Sequence, residues 1–159
     1  MRKNGLTLIE VLVAIILIGV AIASLVAANG LLTKTNSFGL NLSTGEFLME
    51  QIRELTTPLP AVDPNTGTAT FGPEAGETLI TYDDLDDLNG ASFRPPINAN
   101  RQSLNDFAAF TQEITVENVS DTNFEIVVAH HSSHFVRITV RILSNNNEII
   151  SSSWIRAGT

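Results

Sequence analysis

From Val11 to Thr33 the sequence holds no charged residue, and that run of 23 positions constrains the chain more than any other feature. As a helix it would extend roughly 35 Å at 1.5 Å per residue, enough to cross a hydrocarbon layer of about 30 Å. Arg2 and Lys3 precede it, and Lys34 is the only basic residue near its far end. The positive-inside bias therefore predicts a single-pass membrane protein with a cytoplasmic N-terminus and the remainder outside. Over the whole chain, 43% of residues are hydrophobic and 16% charged, a composition that supports a packed core.

Glu10 departs from this pattern. A carboxylate in a bilayer span costs on the order of 2.5–3.5 kcal/mol at the centre and less near an interface. No Lys or Arg lies within the span to pair with it. A plain anchor gains nothing from such a residue.

Together the segments Met1-Arg2-Lys3-Asn4-Gly5 and Leu6-Thr7-Leu8-Ile9-Glu10 with the apolar run resemble the class III signal of type IV prepilins and type II secretion pseudopilins. The resemblance covers about 30 residues and is specific, because basic leader, Gly, Thr-Leu-Ile-Glu and apolar run must coincide. It implies cleavage between Gly5 and Leu6 by a prepilin peptidase and N-methylation of Leu6. Leu6 stands where Phe is usual. The resemblance also supplies a partner for Glu10, the freed amine of a neighbouring subunit. In low dielectric an unpaired charge is strongly unfavourable, so the pair would act as a registry device. The expected partners are the peptidase, other pilin or pseudopilin subunits and an inner-membrane assembly platform. The expected location is the bacterial inner membrane, then a pilus or pseudopilus.

Two other readings compete. A plain signal anchor is one. The other is a conventional secretory signal cut near Ala21-Ile22-Ala23 or Val26-Ala27-Ala28. Either would leave a monomeric exported or membrane-anchored binding module. Glu10 and the length of the apolar run count against both, and the mature mass separates them.

The helical repeat continues past Lys34, with Phe38, Leu42, Met49, Ile52 and Leu55 along one face and Glu46, Glu50, Arg53 and Glu54 on the other. Pro58 and Pro60 end it. The organisation expected is a leader at 1–5, a transmembrane and assembly helix at 6–33, its amphipathic continuation at 34–57, and an extracytoplasmic β-rich domain at 58–159. Loops are expected at 59–77 and 83–105, around a short strand at Thr78–Tyr82. Period-two alternation predicts further strands at Phe110–Val119, Phe124–His130, His134–Leu143 and Glu148–Ile155. Turn-rich pieces between them fit consecutive hairpins. The fold class is thus α+β, a long N-terminal helix on a small antiparallel sheet, which is also the pilin arrangement.

Net charge is −8, and removing Arg2 and Lys3 with the leader would take it to −10. No cluster of Lys and Arg exists to meet phosphates, so nucleic acid is not an expected partner. The chain has no cysteine, which excludes the C-terminal disulfide common in major type IV pilins and favours a minor pilin or minor pseudopilin. Asp83, Asp84, Asp86, Asp87 and Asn89, closed by Gly90, are candidate calcium ligands, although their spacing is not that of an EF-hand. The alternative is a solvated acidic turn with no cofactor. His130, His131 and His134 invite a zinc reading, against which stands a hairpin tip at Ser132-Ser133. No nucleophile elbow, P-loop, HExxH or dinucleotide fingerprint occurs, so no enzyme activity is expected.

Overall fold

The structure is a computed structural model that describes residues 7–65, 67 and 69–158. The expected cleavage pair, Gly5 and Leu6, lies outside the described residues. One helix, α1 (Leu8–Thr56), opens the described chain. Four strands follow: β1 (Ser92–Phe93), β2 (Phe110–Val119), β3 (Phe135–Ser144) and β4 (Asn147–Ala157). The chain divides into two compact units, Met1–Leu40 and Asn41–Thr159.

In the first unit α1 turns aliphatic side chains outward on every side. Leu8, Ile15, Leu17, Val20, Leu25 and Leu31 are 60–84% exposed. A helix apolar all round is built for an apolar medium, and this one is long and apolar enough to cross a membrane. Its hydroxyls spend their donors locally, Ser24 Oγ on the Val20 carbonyl at 2.8 Å and Thr33 Oγ1 on that of Asn29 at 3.0 Å. Such back-bonding leaves no hydroxyl proton without an acceptor in lipid.

In the second unit the remainder of α1 is amphipathic and covers the sheet. Leu48, Met49, Ile52 and Leu55 are buried against Ile114, Val116, Val136, Ile138, Val140 and Ile142. Full burial of each such side chain contributes about 1.5–3 kcal/mol. Gly45 makes the approach possible, since a Cβ there would lie 2.9 Å from Cγ2 of Ile150. The helix stops before Pro58. Thr57 turns its amide and hydroxyl onto the Arg53 carbonyl at 3.1 and 2.8 Å, and the Arg156 guanidinium donates to the Thr56 carbonyl.

The sheet is an antiparallel meander in the order β1-β2-β3-β4. Along β3, Val136, Ile138, Val140 and Ile142 are buried, while Arg137 and Arg141 sit on the other face. There Arg137 meets Glu117 at 2.7 Å, and Arg141 meets Glu113 and Glu148 at 3.1 and 2.8 Å. Asn145 and Asn146, both at positive φ (50° and 65°), join β3 to β4 as a two-residue hairpin, the backbone that Asn tolerates best after Gly.

A polar side chain sits in the middle of this apolar face. Gln112 on β2 is fully buried. Its Nε2 donates to the carbonyls of Leu48 (2.9 Å) and Ile97 (3.1 Å), and its Oε1 accepts from the Ile97 amide at 2.7 Å. It thereby ties helix, sheet and the 94–104 loop together.

Two expected strands are not strands. Residues 124–130 form turns, held by a single bridge between Val119 and Val127. β1 covers only Gln112 and Glu113 on its edge of β2; the segment touches the far end of that edge, where the Val128 amide donates to the Asn118 carbonyl at 3.0 Å and the Ser120 amide to the Ile126 carbonyl at 2.9 Å, and then turns away. Thr78–Tyr82 is a turn as well, with the Thr81 and Tyr82 amides on the Thr78 carbonyl at 2.8 and 3.1 Å. The Arg101 guanidinium takes the carbonyls of Leu79, Ile80 and Tyr82 at 2.6–2.9 Å, which removes them from any ladder. Conversely, β1 lies inside the expected 83–105 loop, with Ser92 opposite Glu113 and Phe93 opposite Gln112.

Candidate functional site

Two places carry chemistry, and the first is the head of α1. Thr7 caps the helix: its carbonyl accepts from the Val11 amide at 3.3 Å, and its Oγ1 accepts from the Glu10 amide at 3.4 Å. Glu10 reaches back in turn, its Oε2 accepting from the Thr7 amide and hydroxyl, both at 2.8 Å. This is a capping box, in which Thr and the Glu three residues later satisfy each other's orphan donors. The Thr-x-x-Glu spacing in the sequence carries that signal, which the attribution of Glu10 to charge pairing alone passes over. Both bonds fall on Oε2. A carboxylate with a local partner therefore stands at the head of a helix that carries no other charge for six turns.

Residues 1–26 match the prokaryotic N-terminal methylation motif. This motif is the class III signal of type IV pilins and pseudopilins. It implies cleavage by a prepilin peptidase and assembly with other pilin subunits, and it points to a structural subunit rather than an enzyme. The long helix packed on a four-stranded antiparallel sheet is consistent with the pilin-like α+β fold. The prepilin signal and the apolar helix together fit anchoring in the inner membrane. No curated protein and no solved structure matches the chain.

The second place is an acidic loop that the prepilin signal does not touch. Asp84 closes the short 3-10 turn Asp86–Leu88, its Oδ1 accepting from the Asp86 and Asp87 amides at 2.9 and 3.2 Å. Asp87 answers with Oδ2, which accepts from the Asp83 and Asp84 amides at 2.9 and 3.4 Å. Asp86 Oδ1 accepts from the Gly72 amide at 2.7 Å. These bonds turn three carboxylates inward, and Asp84, Asp86 and Asp87 are only 1–3% exposed.

Earlier acids join them. Asp63, Glu77 and Asp83 form one compact group, Glu74, Glu77 and Asp87 a second, and Asp84, Asp86 and Asp87 a third, with carboxylate oxygens inside each lying within 4.8 Å of one another. Glu77 and Asp87 link the three. Asp63, Glu74 and Glu77 come from a stretch that reads only as a Pro- and Gly-rich surface loop, so no local spacing announces them. Asn89 does not join. Its Oδ1 accepts from the Val116 amide at 3.0 Å, which commits it to β2.

Burial, and then the neighbouring Asp86, pushes the Asp84 carboxyl up from 3.8 to about 6. Burial likewise raises Asp86 and Asp87, against the Gly72 amide for the first and the Asp84 amide for the second. Beside them lies the His131 ring, whose Nε2 is 3.5 Å from Asp86 Oδ2 and 2.9 Å from the Thr70 carbonyl. Arg53, Arg101, Arg137, Arg141 and Arg156 are all engaged elsewhere.

The histidines do not gather as a zinc site would require. His130 stacks on Phe71, ring centroids 3.7 Å apart, and His131 turns to Asp86. His134 is exposed. None of the described groups of potential ligands contains a histidine.

Proposed function

We propose that the chain is a minor subunit, pilin or pseudopilin, of a type IV pilus or a type II secretion pseudopilus. It is cut between Gly5 and Leu6, methylated on Leu6, and held in the inner membrane with its N-terminus cytoplasmic and its C-terminal unit outside. The assembly platform then draws it into a filament through α1. One observation carries this reading: a single carboxylate, Glu10, at the head of an exposed, otherwise charge-free apolar run, inside the matched 1–26 segment.

The physical logic is differential solvation. In the bilayer, Glu10 has Thr7 as its local partner; in a filament, the freed amine of an adjacent subunit adds a full opposite charge in low dielectric. The register that brings amine and carboxylate together is favoured over its neighbours. The absence of cysteine, which rules out a disulfide-closed C-terminal loop, supports a minor rather than a major subunit.

Intact mass of the membrane-extracted chain, co-expressed with a prepilin peptidase, tests the processing. The expected mature species lacks Met1 to Gly5 and carries one added methyl group. Retention of the leader, or loss of more than twenty residues, refutes it.

A further inference from the structure

We propose that the acidic loop is a binding site for a hard divalent cation of the calcium type, centred on Asp87 and Glu77 with Glu74, and supported by Asp83, Asp84 and Asp86.

Three observations lead there. The first is distance. Two oxygens on one calcium ion, each at about 2.4 Å, lie no farther apart than about 4.8 Å, and each of the three linked carboxylate groups meets that limit. The second is a pair of buried oxygens without hydrogen-bond donors, Oδ1 of Asp83 and Oδ1 of Asp87, while Asp86 Oδ2 has only the His131 ring nitrogen 3.5 Å away. Asp87 is 1% and Asp86 3% exposed, so solvent is shut out of both. A buried acceptor left unpaired costs about 1–3 kcal/mol, and more when charged. Asp87 shows the division of labour most clearly: Oδ2 is spent on two backbone amides, which fixes the carboxylate, while Oδ1 is left without a donor in a carboxylate grouped with Glu77 and Glu74. The third is charge. Burial and mutual repulsion disfavour several ionised carboxylates at once, and Arg53, Arg101, Arg137, Arg141 and Arg156 are engaged elsewhere. A divalent ion neutralises them and supplies the missing partner for the orphaned oxygens.

Calcium fits better than magnesium. It accepts six to eight oxygens in irregular geometry, whereas magnesium demands a near-ideal octahedron and keeps its waters. Zinc prefers nitrogen and sulfur, and these groups offer oxygen alone. Bound there, the ion would fasten the stretches 63–77 and 83–87, whose described residues form no strand. The site is independent of what α1 does in the membrane.

The test uses the full chain in detergent. Terbium stands in for calcium, and Tyr82, the single tyrosine, is next to Asp83 and sensitises its emission. Terbium emission should appear on excitation of Tyr82 and disappear on adding calcium. At a hundredfold excess of calcium over Kd, Tm should rise by roughly 5–10 °C relative to chelator. Asp87→Asn should weaken binding at least tenfold. Glu77→Gln, at a half-buried position, should do the same and serves if Asp87→Asn does not fold by circular dichroism. Asp121→Asn, on an exposed turn, should bind like the parent. No emission and no Tm shift in millimolar calcium, or binding undiminished in the two variants, overturns the site. A magnesium response equal to that of calcium overturns the choice of cation.

Discussion

Glu10 has two jobs on offer, and Glu10→Gln separates them. In the structure Oε2 accepts two hydrogen bonds from Thr7 at 2.8 Å, and a glutamine carbonyl can accept both, because Gln serves in a capping box as Glu does. The cap, worth about 1 kcal/mol, survives the exchange to within a few tenths. The charge does not survive. If a neighbour's amine pairs with Glu10 in the filament, the variant strands that amine in low dielectric, at a cost of about 3–5 kcal/mol for breaking one side of a buried pair. At 1.4 kcal/mol per tenfold, incorporation against wild-type subunits should fall by at least about a hundredfold. Glu10→Ala loses both jobs and should fall further by only the cap's share, about fivefold. The assay is co-expression of tagged variant and untagged parent, shearing of filaments, and the ratio of the two in the sheared fraction against the membrane. Membrane levels of all three forms should be equal. Incorporation of Glu10→Gln at the parental ratio would falsify charge pairing and leave Glu10 as a device for starting a helix.

The outer unit makes its own predictions. Gln112→Leu keeps the volume but orphans the Ile97 amide and removes a donor from two carbonyls, so we expect a loss of about 2–4 kcal/mol in urea unfolding followed by Trp154 fluorescence. A loss below about 0.5 kcal/mol would mean those groups find other partners. Gly45→Val drives a branched side chain into Ile150, where even a Cβ would sit 2.9 Å away, and should cost about 1–3 kcal/mol in the same assay. Gly30→Val, where nothing lies within 4 Å of the added Cβ, should leave that transition unchanged.

What the sequence discloses depends on how far apart the cause and the consequence lie. Alternation places β2 and β3 within a residue or so because each strand's own buried face decides it, and Pro58 ends α1 because the obstacle is local. The same alternation at Phe124–His130 misleads, since the segment meets β2 only at the Val119–Val127 bridge and turns away on both sides of it. Thr78–Tyr82 fails for a related reason: its carbonyls are claimed by Arg101, some twenty residues on. Gln112 looks like a flaw in an apolar face until Ile97 and Leu48 are seen to need it. At the helix head the motif is contiguous and can be read directly, including the Thr7 cap. In the acidic loop the sequence shows Asp83 to Asp87 but not their direction, and Asp63, Glu74 and Glu77 are brought in only by tertiary folding. Asn89, adjacent to the run, is diverted to β2 by a single hydrogen bond. A string of aspartates on a surface turn would repel and face water. These are instead pinned inward by the backbone amides around them, an arrangement that a bound cation would neutralise.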